Sequence, residues 1–69
     1  MTVQDFIDNI NQNKCGEYEL DFIIGHRYVW HGDLSDSRWR RYQNYEIVQI
    51  FFTRSADYTP MICLEIEYV

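Results

Sequence analysis

The sequence predicts an α+β domain: an N-terminal helix over residues 3–13, packed on one face of a three- or four-stranded antiparallel sheet that ends in a C-terminal β-hairpin. Three observations predict it. Val3, Phe6, Ile7 and Ile10 recur at the spacing of one helical face. From Tyr18 the period changes to two, with Tyr18, Leu20, Phe22 and Ile24 on one side and Glu17, Glu19 and Asp21 on the other. Two strand-forming runs, 45–53 and 61–69, flank the polar break Ser55-Ala56-Asp57. At 69 residues and 8.5 kDa the chain is one domain, 1–69. Its apolar share of 46%, with two Trp, six Tyr and four Phe against one Pro, is enough to build a core and far from a disordered composition.

Each element has a local reason to form. Thr2 and Asp5 make a T-x-x-D start, a shorter relative of the capping box, and Asp5 and Asp8 sit toward the positive end of the helix dipole. Asn13 and Gly16 are the expected stop. The run after Tyr18 reads as a half-exposed strand. Gly25-His26 then fits a two-residue turn with glycine first, returning residues 27–31 as a second strand, with a glycine bulge in one long strand as the alternative. Residues 31–44 read as a loop carrying one short helix, capped by Asp33, Ser35 or Asp36 and turning Leu34, Trp39 and Tyr42 inward, with a strand as the competing reading.

In the last third, a three-residue loop sets Ile50 opposite Ile62, Val48 opposite Leu64 and Phe52 opposite Pro60. A slip by one residue would turn Leu64 to the wrong face. Pro60 cannot donate to a ladder, which places it at a strand start or an edge.

Charge and cysteine content narrow the function. The formal charge is -5, but residues 25–54 carry five arginines against Asp33, Asp36 and Glu46. An acidic protein is repelled by nucleic acid at long range, so such a role would rest on a local patch and is disfavoured. The longest apolar runs are far shorter than the roughly 20 residues a membrane-spanning helix needs, and the acidic start lacks the form of a secretory signal. The expectation is a cytoplasmic protein in which Cys15 and Cys63 stay reduced.

The stretch S-R-W-R-R-Y-Q-N-Y concentrates Arg38, Arg40 and Arg41 around Trp39, Tyr42 and Tyr45. Trp, Tyr and Arg dominate protein interfaces because they bring large area and forked hydrogen bonding at modest entropy cost. The same residues serve single-stranded nucleic acid through charge and stacking. A purely structural use, with the rings packed inward and the arginines paired to the chain's own acids, competes with both. His26, His31, Asp33 and Asp36 are the polar cluster nearest to metal-ligand chemistry, but no ligand motif accompanies them, so no metal and no cofactor are expected. For nucleophilic catalysis the candidates are Cys15 or Cys63 with His26 or His31, and Ser35, Ser37 and Ser55. None sits in a nucleophile elbow or deaminase signature, and a chain this short has little material to wall a substrate pocket. Cys63, alternating with Leu64, reads as a small hydrophobe.

The hairpin's second face adds an argument for a partner. With Val48, Ile50, Phe52, Ile62, Leu64 and Ile66 toward the helix, Tyr45, Ile47, Phe51, Met61, Cys63 and Val69 look away, more apolar surface than a monomer tolerates. Either residues 31–44 or another chain must cover it, and a second copy is the first candidate. The expected binding surface combines Arg38, Trp39, Arg40, Arg41, Tyr42, Tyr45 and Phe51 of a non-enzymatic protein that binds another protein. The alternative is a nucleic-acid-binding accessory factor using the same arginines.

The opening T-V-Q-D-F-I-D-N-I resembles the start of short bacteriophage and mobile-element proteins, which begin with a T-V-x-[DE]-[LF]-I helix and continue into a small antiparallel sheet. The resemblance covers about ten residues of helix grammar. It implies a phage accessory protein of a class that includes inhibitors of host defence, anti-CRISPR proteins among them, which act in the host cytoplasm by occupying a binding surface. Some such proteins mimic the charge of nucleic acid, a mechanism from which the basic R-W-R-R stretch departs.

Overall fold

The computed structural model describes residues 1–12 and 18–69; the expectations placed on Asn13, Cys15, Gly16 and Glu17 lie outside the described residues. Helix α1 runs Val3–Gln12, followed by strands β1 (Glu19–Ile24) and β2 (Arg27–Asp33), a 3-10 helix at Ser37–Tyr42, and strands β3 (Glu46–Arg54) and β4 (Pro60–Glu67). The class is α+β, as the periodicities predict. No described helix is long and apolar enough to cross a membrane.

The helix starts where the sequence places it. Thr2 N–H donates to Asp5 Oδ2 (3.1 Å) and Asp5 N–H to Thr2 Oγ1 (3.2 Å), the reciprocal pair of a capping box. These bonds hold the exposed Asp5 carboxyl below its ordinary pKa. Val3, Ile7 and Ile10 are buried, with Phe6 half-buried beside them.

The sheet order is β2-β1-β4-β3. Three features differ from the sequence reading. First, the sheet is mixed: the two hairpins are antiparallel, but β1 pairs with β4 in parallel, Leu20 beside Ile62 and Phe22 beside Leu64. A parallel neighbour needs a crossover, here provided by residues 34–45 with their 3-10 helix. Being internal, β1 is buried along Leu20–Ile23 on both faces instead of half-exposed.

Second, the β3–β4 register differs by two residues. Ile50 faces Leu64, Phe52 faces Ile62 and Arg54 faces Pro60, because the connection is a five-residue loop, 55–59. Ser55 and Thr59 bond across it (N to O, 2.9 Å), and Tyr58 takes the left-handed conformation at φ 67°. The shift is even, so Ile62, Leu64 and Ile66 still face the helix.

Third, a bulge separates Ile47 from Gln49 in their pairing with Ile66 and Glu65. One extra residue reverses the alternation before it. Tyr45 and Ile47 therefore pack on the helix side, not the outer face, while Val48 is exposed.

The Gly25-His26 turn forms with positive φ at both residues, 54° and 69°. This is the type I′ geometry that suits the twist of two paired strands. In β2 the Trp30 ring lies across Gly32, where an added Cβ would come within 2.6 Å of it, and meets the Phe22 ring at 5.0 Å with a tilt of 49°. The 3-10 helix lies on the same side of the sheet as α1, with Trp39 buried in the core that Val3, Ile7, Leu20, Phe22, Ile62, Leu64 and Ile66 complete. The outer face is covered by neither element, and it is not the continuous apolar patch expected from alternation: Glu19, Asp21, His31 and Glu65 stand among Ile23, Cys63 and Phe51.

Ile7→Ala should cost about 3 kcal/mol, the usual range for removing a fully buried branched side chain, and lower the Tm by more than about 10 °C. Asp8→Ala on the outer side of the same helix should stay within about 0.5 kcal/mol. Thermal melts of the two variants check both.

Candidate functional site

The 3-10 helix sets the geometry of the arginine-aromatic stretch. Asp36 caps it, accepting from Arg38 N–H at 3.0 Å, and also grips the Arg38 guanidinium, with Nε at 3.0 Å and Nη2 at 2.6 Å. This charge-assisted fork pulls the Asp36 carboxyl down to about 2 and pushes the Arg38 guanidinium up. Arg38 is thus occupied within its own turn.

A 3-10 turn has three residues, so Trp39 and Tyr42 fall on one side. Trp39 is only 5% exposed, and Tyr42 is half-buried with its ring edge-on to Phe22 at 5.7 Å. The inward orientation expected of Trp39 and Tyr42 is the one observed, with Trp39 in the core and Tyr42 as its outer wall, which corrects their inclusion in the expected binding surface. The reason is the covering of the sheet, because α1 leaves the Phe22 end of the apolar face open and Trp39 and Tyr42 close it.

Arg40 and Arg41 project outward from the same turn. The Arg40 guanidinium lies 5.6 Å from the Trp39 ring and that of Arg41 lies 5.9 Å from Tyr42, within cation–π range. Both are exposed, and neither has an ion-pair partner among the described residues. With Gln43, Asn44, Tyr45, Tyr68 and Val69 they line a groove of about 290 Å³. Two of its lining rings, Tyr45 and Tyr68, are linked to the core by a row of edge-on contacts, Phe22–Tyr42, Tyr42–Tyr45 and Tyr45–Tyr68, at 5.7, 5.3 and 5.4 Å.

Of the seven expected surface residues, Arg40, Arg41 and Tyr45 are brought together here. Phe51 is on the opposite face of the sheet, in register with Cys63. Tyr68, beyond the last strand, completes the groove and was missed; only its aromatic character hinted at it.

The other polar candidates separate. His26 is in the β1–β2 turn, Asp33 accepts from Ser35 N–H at 2.9 Å, and Asp36 caps the 3-10 helix. No group of three side chains able to hold a metal occurs among the described residues. A different row appears on the outer face, where Cys63, Asp21 and His31 stand side by side on β4, β1 and β2. Asp21, 7% exposed, meets His31 Nδ1 at 2.5 Å and accepts weakly from the Cys63 thiol at 3.8 Å. Burial first, then the Asp21 charge, push the Cys63 thiol up, the opposite of what a nucleophile needs.

Comparison with known proteins finds no matching family model, no matching curated protein and no matching solved structure.

Two outcomes follow from this geometry. Trp39→Ala should destabilise the fold by about 3–5 kcal/mol, as loss of a buried Trp does, whereas a contact residue would leave the melt unchanged. An NMR titration should place the Asp36 carboxyl near 2. Its pairing contributes above the ordinary value of 3.8 and is lost as pH falls through about 2, and Arg38→Ala should return it toward 3.8.

Proposed function

We propose that this chain is a non-enzymatic binding protein that occupies a surface of another protein through the groove of Arg40, Arg41, Tyr45 and Tyr68. One observation carries the reading: two exposed arginines without acidic partners among the described residues flank an aromatic groove, in a protein whose net charge is -5. Arginine and tyrosine side chains already held by ring contacts lose little entropy on binding. The complementary feature is an aromatic side chain beside one or two carboxylates. A polyanion would meet the same arginines, but also the repulsion of the surrounding acidic surface. The resemblance of the opening residues to phage accessory proteins favours a host protein as the target, with inhibition by occupancy as the mode of action.

Fluorescence anisotropy with two probes tests this. A short labelled peptide presenting Glu beside Trp should bind, and Arg40→Ala with Arg41→Ala should weaken it at least about tenfold, the loss of one charge-assisted hydrogen bond or more. A labelled single-stranded oligonucleotide should show no measurable binding at low salt. Sub-micromolar oligonucleotide binding that falls steeply with salt would replace this reading with the nucleic-acid one. Peptide binding indifferent to both arginines would remove the groove from the function.

A further inference from the structure

We propose that the proton held between His31 and Asp21 is a pH-operated latch, which fastens the edge strand β2 to β1 on the open face of the sheet and lets go as the pH rises. The proposal is independent of the arginine groove.

β2 is an edge strand with β1 as its one neighbour in the sheet. On the helix side it is fastened by Trp30, whose ring meets Phe22 at 5.0 Å. On the open face the fastening is His31, near the end from which the chain leaves for the crossover. Its Nδ1 lies 2.5 Å from Asp21 Oδ1 and its Nε2 lies 3.7 Å from Glu19 Oε2, so both ring nitrogens face carboxylates of β1. A neutral imidazole has one N–H and one lone pair. With its N–H turned to Asp21, it sets the lone pair toward Glu19, whereas the imidazolium presents a positive N–H to both.

Asp21 depends on this contact. Its side chain is only 9% exposed, and its other oxygen accepts only weakly, from the Cys63 thiol at 3.8 Å. An unpaired carboxylate at that depth is strongly disfavoured. Whichever atom carries it, the pair holds one proton more than a free carboxylate and a neutral ring do. The His31 side chain is 55% exposed, so this proton exchanges directly with solvent.

The surroundings offer no other cation. The register puts Glu19, Asp21, Asp33, Glu46, Glu65 and Glu67 on the open face. Asp33, two residues along β2, is engaged by Ser35, and Glu65 and Glu67 stand beyond β1 on β4. Arg27 is in register with Ile24 and Arg54 with Pro60, both on the helix side, and Arg38, Arg40 and Arg41 belong to the 3-10 helix. The Met1 amine is paired with Glu46 on the far strand β3. His31 is therefore the one cationic side chain on the open face among the described residues. Because the folded chain binds the shared proton more tightly than the unfolded one, its stabilisation is complete below histidine's ordinary pKa of about 6.5 and is lost as the pH rises above it.

Urea unfolding between about pH 5.5 and 7.5 tests the latch, a window above the ordinary range of carboxylates and below that of amines and thiols. The folding equilibrium constant of the wild type should fall about threefold or more across it. His31→Gln should flatten the profile and Glu19→Gln should reduce the fall, whereas His26→Gln, in the exposed β1–β2 turn, should retain it. Should His31→Gln not fold, Glu19→Gln decides, since that carboxylate lies at the surface and only its charge is removed. A wild-type constant that stays flat or rises with pH overturns the proposal. So does a fall that persists in His31→Gln or is undiminished in Glu19→Gln.

Discussion

Everything else in this fold is hung on the parallel pairing of β1 with β4. Leu20, Phe22, Ile62 and Leu64 become adjacent only there, and together they are the apolar surface on which α1 and the 3-10 helix lie. Neither cover is stable alone. Ten helical residues fall below the length at which an isolated helix persists in water, and a single 3-10 turn is weaker still. The pairing also joins residues about 40 apart in the chain, so its loop-closure cost must be met by burial that only the complete two-layer arrangement provides.

One side of the sheet receives both covers, and this asymmetry explains the composition of the other. An uncovered face whose strands stay central must satisfy any buried polar group laterally. Asp21 does so with His31 on one neighbour and the Cys63 thiol on the other. A carboxylate this buried would be costly without such partners. The acidic and histidine groups on this face also break up what would otherwise be a large apolar patch around Ile23, Cys63 and Phe51.

The legible parts of the fold were those that repeat locally. Helical spacing located α1 and its inner residues, the T-x-x-D start located its cap, and glycine chemistry located the β1–β2 turn. The bulge at Val48 was not legible, since alternation through Tyr45, Ile47 and Val48 looks regular until one residue fails to pair. The hairpin register was misread for a related reason: Ser55-Ala56-Asp57 marks a turn but does not show that Tyr58 accepts a positive φ and lengthens the loop. The parallel pair was invisible because no local pattern distinguishes a strand that returns beside β1 from one that does not. The candidate site divided along the same line. The sequence located the arginines and the rings, but whether Trp39 faces solvent or core depends on how much of the sheet α1 leaves bare.

The arginine stretch is anchored from the core outward. Trp39 and Tyr42 lock the 3-10 helix to the core, and the Asp36–Arg38 fork stiffens its start. Arg40 and Arg41 inherit their backbone positions from these residues, and their guanidinium groups lie against the same rings. A flexible loop with the same composition would present the same charges with far greater entropy to lose. In the proposed binding role the buried aromatics act indirectly, by holding the arginines beside Tyr45 and Tyr68. The net acidity repels extended polyanions at a distance, while two local positive charges remain exposed at the groove. In the proposed binding role, selectivity would come from that contrast between the field of the whole surface and the charge of one groove.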